Sequence, residues 1–172
     1  MDRMDILVVG AGPAGLMASI TAGAAGARVG LLERLPRPGM KLTATGGGRC
    51  NLTNTLPTAD LLARFGRQGK FMRPALAGLD SPALRDFFRS IGVETHCADG
   101  FHVFPVVESA VAVRDALLAC CRNAGVEVYA PDRAVAIQIQ DGAVRGVETD
   151  GGKLEASRVI LTAGGCAWPD LG

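Results

Sequence analysis

The sequence predicts an α/β fold: a Rossmann-like dinucleotide-binding domain with a parallel sheet and a three-stranded antiparallel β-meander. Two observations predict it. The chain opens with a strand, helix and strand pattern of about 30 residues, in which a glycine-rich turn joins the first strand to the helix. Nearer its other end, short segments of alternating apolar residues are joined by Asp-Gly turns, which are typical of antiparallel hairpins.

Length and composition limit the possible classes of protein. The chain has 172 residues, of which 48% are hydrophobic and 20% charged, so disorder is excluded as the main state and one domain over residues 1–172 is expected. The net charge is +1 without a basic run, and a nucleic-acid partner is therefore not expected. No apolar run reaches the roughly 18 residues of a membrane span, and the first residues do not resemble a secretion signal. We expect a cytoplasmic protein that does not bind membranes.

The first 33 residues account for the opening pattern. Met4 to Val9 is a short apolar run, typical of a strand buried on both faces. A helix is predicted over Pro13 to Ala25, with proline in its first turn and Gly26 at its end. Ala27 to Leu32 is the second strand, and Glu33 closes it.

The turn after the first strand matches the pattern G-x-G-x-x-G. In this pattern the first glycine permits a tight turn, the second lets a pyrophosphate approach the backbone, and the third lets the helix pack close to the strand. Free N–H groups at the helix start then bind phosphate charge. Glu33 is placed to accept hydrogen bonds from a ribose and to repel the 2′-phosphate of NADP. The residues expected to bind a cofactor at this turn are Gly10, Gly12, Pro13, Ala14 and Gly15.

The middle of the chain begins with an irregular segment. Residues 34–56 show no period of 2 or 3.6 and are rich in proline and glycine, as in functional loops. Further on, helices are expected over Ala59–Phe65, Pro82–Ile91 (with Ser81 as its N-cap) and Ser109–Asn123, and short strands over Val93–His96 and Phe101–Phe104.

The last third of the chain completes the predicted sheet. Val126–Tyr129 is expected as a third parallel strand because it follows a helix. The meander is expected over Ala134–Gln140, Ala143–Thr149 and Lys153–Ala156, and Arg158–Ala163 as a separate buried strand. Gly164 and Gly165 follow at the carboxyl end of that strand, the edge at which open α/β sheets bind ligands.

Three further segments carry a family resemblance. Residues 41–54, K-L-T-A-T-G-G-G-R-C-N-L-T-N, are similar to the K-x-x-x-S/T-G-G-G-R-C-N-x-T-N segment of the HI0933-like (YhiN-like) NAD(P)/FAD-dependent flavoproteins. Residues 101–105 resemble the family's G-R-V-F-P segment, and residues 162–169 its A-T-G-G-x-S-Y-P segment. The meander also resembles the FAD domain of glutathione-reductase-like flavoproteins. The resemblance covers essentially the whole chain and implies FAD as the cofactor.

These segments supply further candidate cofactor residues. A run of glycines can turn backbone amides toward an anion, and Lys41 and Arg49 supply positive charge for a pyrophosphate or a reduced flavin. Asn51 can bond the polar edge of a flavin or of a substrate. By the resemblance, Val135 offers backbone groups to adenine, although a plain core valine is at least as good an interpretation. Besides the residues of the glycine turn, the predicted cofactor-binding residues are Glu33, Lys41, Gly46, Gly47, Gly48, Arg49, Cys50, Asn51, Val135, Ala163, Gly164 and Gly165.

No metal site and no catalytic side chain are predicted. The five cysteines form no C-x-x-C pair and have no histidines at zinc-ligand spacing, so reduced, mostly buried thiols are expected rather than a redox dithiol. His96 and His102 are the candidates for acid–base work near neutrality. His102 stands where the resembling family usually has arginine, which leaves the ligand contacts of that segment open.

The expected function is that of an FAD-dependent oxidoreductase acting on a small organic substrate, with NAD(P)H or O₂ as the second redox partner. The resemblance implies a longer protein, because family members continue into a substrate domain and then return to the FAD domain. Two alternatives stay open. One is a truncated or split dinucleotide-binding half without catalysis of its own, and the other is an NAD-dependent dehydrogenase fragment that uses Glu33 on the ribose.

Overall fold

The computed structural model describes residues 3–165. These residues form two compact units, one made of residues 3–43 and 117–165 and the other of residues 44–116. The assignment of residues 1–172 to one domain stays a prediction. Within the part of the chain described, no helix is both long enough and apolar enough to span a bilayer.

Most of the predicted elements are present, with shifts of one or two residues at their ends. The strands are β1 (Met4–Val9), β2 (Val29–Leu32), β3 (Thr53–Asn54), β4 (Thr95–His96), β5 (His102–Pro105), β6 (Glu127–Tyr129), β7 (Ala134–Gln140), β8 (Ala143–Thr149) and β9 (Gly152–Leu161). The helices are α1 (Pro13–Ala24), α2 (Met40–Thr43), α3 (Thr58–Arg64), α4 (Gly69–Gly78), α5 (Ser81–Ser90) and α6 (Ala110–Asn123). Single 3₁₀ turns lie at Thr45–Gly48 and Gly66–Gln68.

The first unit is built on one sheet with the strand order β6-β2-β1-β9-β8-β7. The first four strands are parallel, and β8 and β7 are antiparallel to their neighbours. This arrangement confirms the predicted Rossmann-like fold with its meander. All four residues of β2 are buried, and β1 buries Met4, Leu7 and Val8 while Asp5 is exposed. Helix α1 packs against them, and the meander residues Val147 and Leu154 share a core cluster with Met4 and Leu7.

The structure corrects one part of the sheet prediction. Lys153–Ala156 and Arg158–Ala163, expected as two strands, belong to the single strand β9 and its continuation. The first half of β9 pairs antiparallel with β8, and its second half pairs in parallel with β1. No glycine or proline interrupts the sequence around Ser157, so the chain changes its neighbour without turning. The meander therefore leads directly into the parallel sheet and brings residues 162–165 to the end of β1.

The second unit contains a small antiparallel sheet of order β3-β5-β4, together with α3, α4 and α5. Val103 in the central strand is fully buried. The predicted N-cap of α5 is wrong by one residue, because Asp80 rather than Ser81 accepts the hydrogen bond from the backbone N–H of Ala83 at 2.9 Å. The hydroxyl of Ser81 instead donates to the carbonyl of Asn54. Helix α4 was not predicted, because Pro74 and its glycines are poor helix formers.

Candidate functional site

A pocket of about 520 Å³ lies in the first unit where β1, β2 and β9 end. Carboxyl ends of parallel strands meet at one edge of a sheet, and this edge is where open α/β sheets bind ligands. The pocket wall comes from the glycine turn after β1, the end of β2, the connection between β6 and β7, and the segment after β9. Its predicted site residues are Gly10, Gly12, Pro13, Ala14, Glu33, Lys41, Ala163, Gly164 and Gly165.

The three glycines of the turn differ in whether the fold leaves room for a side chain. Gly10 has φ +99°, and a Cβ added there would lie 2.6 Å from the carbonyl oxygen of Thr162. A Cβ at Gly15 would lie 1.9 Å from the carbonyl oxygen of Gly10, which permits no side chain. A Cβ at Gly12 would meet no protein atom within 4 Å. Gly10 and Gly15 are thus required by the fold, whereas the space at Gly12 is open to a ligand.

Helix α1 begins at this turn and points its N-terminus toward the pocket. Gly12 is the N-cap and has no side chain to bond the free amides, Pro13 takes the first turn, and no acidic residue lies there. Gly12 and Ala14 both line the pocket. The unpaired N–H groups and the helix dipole therefore favour an anion at this place.

Thr162 is a structural part of the site that sequence reasoning did not place among the cofactor residues. Its backbone N–H donates to the carbonyl of Val9 at 2.8 Å, and its hydroxyl lies 2.8 Å from the carbonyl oxygens of both Val9 and Gly10. These contacts tie the segment after β9 to the glycine turn. Because Thr162 directly precedes the predicted cofactor residue Ala163, its position in the sequence could have indicated this role.

Glu33 is held firmly at the end of β2. Its carboxylate oxygens accept hydrogen bonds of 2.9 Å from the N–H groups of Ala11 and Leu35. Its own backbone bonds the carbonyl of Tyr129 and the N–H of Asp132. A carboxylate oxygen accepts more than one hydrogen bond, so Glu33 keeps capacity for ribose hydroxyls while it braces the turn.

The connection between β6 and β7 adds a wall that the sequence did not indicate. Asp132 lines the pocket, and its carboxylate accepts hydrogen bonds from the Thr149 hydroxyl at 2.8 Å and the Gly151 N–H at 3.0 Å. Ala134 lines the pocket instead of the predicted Val135. Val135 is 55% exposed, which excludes the core interpretation, and the register of β7 against β8 shifts between residues 134 and 136. A backbone bulge at this position stays compatible with the predicted adenine contact.

Lys41, in α2, also lines the pocket. Its ammonium group donates to the carbonyl of Gly165 at 3.2 Å, and both residues line the pocket. A positive charge is therefore placed beside the segment after β9. Residues 166–169, including Cys166 and the end of the third family-like segment, lie outside the described residues.

The other predicted cofactor residues lie in the second unit. Three successive left-handed glycines form an exposed turn, with φ values of 57° at Gly46, 66° at Gly47 and 87° at Gly48. Gly46, Arg49 and Asn51 line a second cleft. Cys50 is buried, and burial raises the pKa of its thiol. Its side chain packs inside the second unit, and its role as a cofactor residue stays a prediction.

The cysteine and metal predictions can be compared with the described residues. Cys50, Cys97, Cys120 and Cys121 are free thiols. Cys121 is buried against α1, where its thiol lies 3.7 Å from the carbonyl oxygen of Leu16, and burial raises its pKa to about 11. Residues 3–165 contain no group of three or more His, Cys, Asp or Glu side chains arranged to hold a metal ion.

Comparison with known families identifies the group to which this fold belongs. The model of the HI0933-like protein Rossmann domain matches residues 4–172. The chain belongs to the HI0933-like family. This match agrees with the pocket geometry and with the segments at residues 41–54, 101–105 and 162–169.

Two curated relatives match the HI0933-like chain over its whole length. The 3-dehydro-bile acid delta(4,6)-reductase of Clostridium scindens is 34% identical over 175 residues, which cover 41% of that protein. The ribosomal RNA dihydrouridine synthase of Escherichia coli K12 is 28% identical over 172 residues, which cover 42% of it. The chain thus spans about two-fifths of the length of these relatives.

Solved structures share the fold. THI4 of Thermovibrio ammonificans matches with a TM-score of 0.64 at 19% identity, covering 96% of this chain and 59% of the other. Glycine oxidase from Bacillus cereus matches with a TM-score of 0.54 at 13% identity, covering 96% and 56%.

Proposed function

We propose that this chain is the dinucleotide-binding part of an FAD-dependent oxidoreductase. The observation that carries the proposal is the pocket in which the open position at Gly12, the carboxylate of Glu33 and the Ala163–Gly165 segment come together. An ADP group needs a phosphate site at a helix N-terminus and an acceptor for its ribose. The pocket supplies both from adjacent parallel strands.

The proposed roles follow from these positions. The amides of the Gly12–Ala14 turn bind the pyrophosphate, Glu33 accepts the ribose hydroxyls, and the backbone at Val135 contacts adenine. Lys41 places its charge beside Gly164 and Gly165. The flavin itself supplies the hydride or electron chemistry when bound, and the protein supplies binding, orientation and charge. Gly46, Gly47, Gly48 and Cys50 stay predicted cofactor residues of the second unit. Arg49 and Asn51, predicted with them, line the cleft of that unit.

The two curated relatives support a cofactor role for this part of the family. Their names describe action on a bile acid and on ribosomal RNA, which are chemically unrelated, yet both match this chain from end to end. A segment shared by enzymes that act on such different substrates is expected to bind their common cofactor rather than to select the substrate. For the oxidoreductase as a whole we propose a small organic substrate, as the name of the bile-acid relative describes for that protein, with NAD(P)H or O₂ as the second redox partner.

A titration of the purified chain with FAD, NAD and ADP tests the cofactor assignment. FAD is expected to raise the thermal midpoint more than NAD at equal concentration, since preferential binding to the native state stabilises it by about 2.7 kcal/mol at 100 times Kd. A protein that gains no flavin absorbance after incubation with FAD, and responds to NAD instead, would show the dehydrogenase alternative to be right.

Turnover separates the oxidoreductase from a binding half without catalysis. The FAD-loaded chain is given NADH, NADPH or chemical reductant, and electron transfer to O₂ or a dye is followed against the same concentration of free FAD. A rate above the free-flavin background supports the enzyme. Tight FAD binding without such a rate supports the split half.

A further inference from the structure

A second cleft, of about 400 Å³, lies entirely within the second unit. Its lining includes the phenyl ring of Phe104 and several polar groups. Its ionisable side chains are Arg49, His96, Asp99, His102 and Glu108. None of them lines the dinucleotide pocket.

Phe104 lies beside the arginine and the two histidines of this cleft. The guanidinium carbon of Arg49 lies 4.6 Å from the centroid of the Phe104 ring, and the imidazoles of His102 and His96 lie 6.2 and 6.5 Å from it. The Nε of Arg49 donates to the carbonyl of Gly46 at 3.3 Å. Stacking and this hydrogen bond orient the guanidinium, a planar group that binds carboxylates through two parallel hydrogen bonds.

Asp99 and His102 form a fixed carboxylate–imidazole pair. One oxygen of Asp99 accepts from the backbone N–H groups of Phe101 at 2.9 Å and His102 at 2.8 Å. The other oxygen lies 2.6 Å from Nδ1 of His102. The hydrogen bond from His102 and those from the backbone hold the pKa of Asp99 well below its usual range, so the carboxylate stays charged. With Nδ1 engaged, Nε2 is the nitrogen of His102 that can bond a ligand.

The charged side chains of the cleft differ in whether they have a partner. Asp99 has His102 as its partner, and Glu108 lies 3.5 Å from Nε2 of His96. Among the described residues, Arg49 forms no ion pair with a carboxylate. The guanidinium of Arg49 is therefore available to bond the carboxylate of a ligand, and the two nearby carboxylates repel a doubly charged phosphate more strongly than a singly charged carboxylate.

We propose that this cleft binds a small organic carboxylate, whose carboxylate group is held by Arg49 and whose neighbouring oxygen or nitrogen bonds Nε2 of His102. Asn51, which also lines the cleft, supplies a further amide for the same ligand. Describing this carboxylate as a substrate rests on the oxidoreductase proposed above; the binding site itself does not. From the sequence, Asn51 could bond the polar edge of either a flavin or a substrate. The charged groups that line the cleft with it favour the substrate.

Lactate, which carries a hydroxyl beside its carboxylate, is the probe, and lactamide is its neutral counterpart. Each is titrated into the ¹⁵N-labelled full chain, and the amide signals of residues 96–104 are followed by NMR. Lactate is expected to give saturable shifts in this segment, and lactamide and inorganic phosphate are expected to bind at least about tenfold more weakly. Equal shifts with lactate and lactamide, or shifts centred elsewhere, would overturn the proposal.

Matched variants identify the group that binds the carboxylate. Arg49→Gln is expected to weaken lactate binding by about tenfold or more, and Arg49→Lys by less, because lysine keeps the charge but loses the planar fork. Arg67→Gln, an exposed arginine of the same unit outside the cleft, should leave the affinity unchanged. The amide spectrum of each variant shows whether it is folded. Lactate binding that is unchanged in folded Arg49→Gln would contradict the proposal.

The same titration with FAD present distinguishes this site from the proposed function. If lactate binds and FAD does not, only the oxidoreductase proposal fails. If FAD binds and lactate does not, only the carboxylate site fails. Displacement of lactate by FAD would assign Arg49 to the flavin and overturn the carboxylate site.

Discussion

The hydroxyl of Thr162 lies 2.8 Å from the carbonyl oxygen of Gly10, across 152 positions of sequence. The same hydroxyl lies 2.8 Å from the carbonyl of Val9, which also accepts the backbone N–H of Thr162. The glycine turn and the segment after β9 are therefore joined by direct hydrogen bonds at the edge of the parallel sheet. Because both segments line the pocket, and Thr162 does so too, these hydrogen bonds help to set the shape of the proposed phosphate site.

Replacing Thr162 with valine should weaken both the fold and the cofactor site. Valine keeps the shape but leaves the Gly10 carbonyl without its donor, and the loss of such a hydrogen bond costs about 1 kcal/mol of unfolding free energy. FAD affinity is expected to fall several-fold because the turn is no longer fixed. Urea denaturation and flavin titration measure the two effects. Thr162→Ser, which keeps the hydroxyl, is the control, and equal losses in both variants would show that the hydroxyl is not responsible.

Alanine at two glycines of the turn should have different effects: at Gly15 it should reduce stability, and at Gly12 it should reduce FAD binding. In Gly15→Ala the new methyl would lie 1.9 Å from the carbonyl of Gly10, so the helix must move and the unfolding free energy should fall by about 1–3 kcal/mol or more. In Gly12→Ala the methyl meets no protein atom within 4 Å and the φ of −72° suits alanine. This variant should fold normally and lose FAD binding, because the methyl occupies the space proposed for the pyrophosphate. Normal FAD binding by Gly12→Ala would contradict the proposed phosphate site.

The sequence predicted the first unit well and the second only in part. Gly10, Gly12 and Glu33 could be predicted because a motif fixes the local backbone and the helix that follows. The single strand β9 could not, since pairing with β8 and then with β1 is decided by neighbours far along the chain. The pairing of Asp99 with His102 depends on how the two side chains are oriented at the turn between β4 and β5, which the sequence pattern does not show. The unpaired charge of Arg49 depends on which side chains surround it, and it becomes visible only in three dimensions.

Glu33→Gln tests whether the carboxylate at the end of β2 works as proposed. An amide presents one oxygen instead of two, so one of the bonds from Ala11 and Leu35 must be lost. We expect FAD affinity to fall several-fold, with a loss of stability of about 1 kcal/mol. Glu127→Gln changes an exposed carboxylate that bonds only the hydroxyl of Tyr129 among the described residues, and it serves as the control. Equal FAD affinities for the two variants and the parent chain would remove Glu33 from the site.

Tyr129 should make the fold sensitive to alkaline pH. Burial, together with the nearby Glu127 carboxylate, raises the pKa of its phenol to about 12, compared with about 10 in an unfolded chain. The native state therefore binds this proton more tightly than the unfolded state does. The stabilisation is complete below about pH 10 and decreases as pH rises toward 12. Because the chain contains one tyrosine, phenolate absorbance reports on this residue alone. Urea denaturation at increasing pH should show a steeper loss of stability in the parent chain than in Tyr129→Phe, and parallel pH profiles for the two proteins would contradict the assignment.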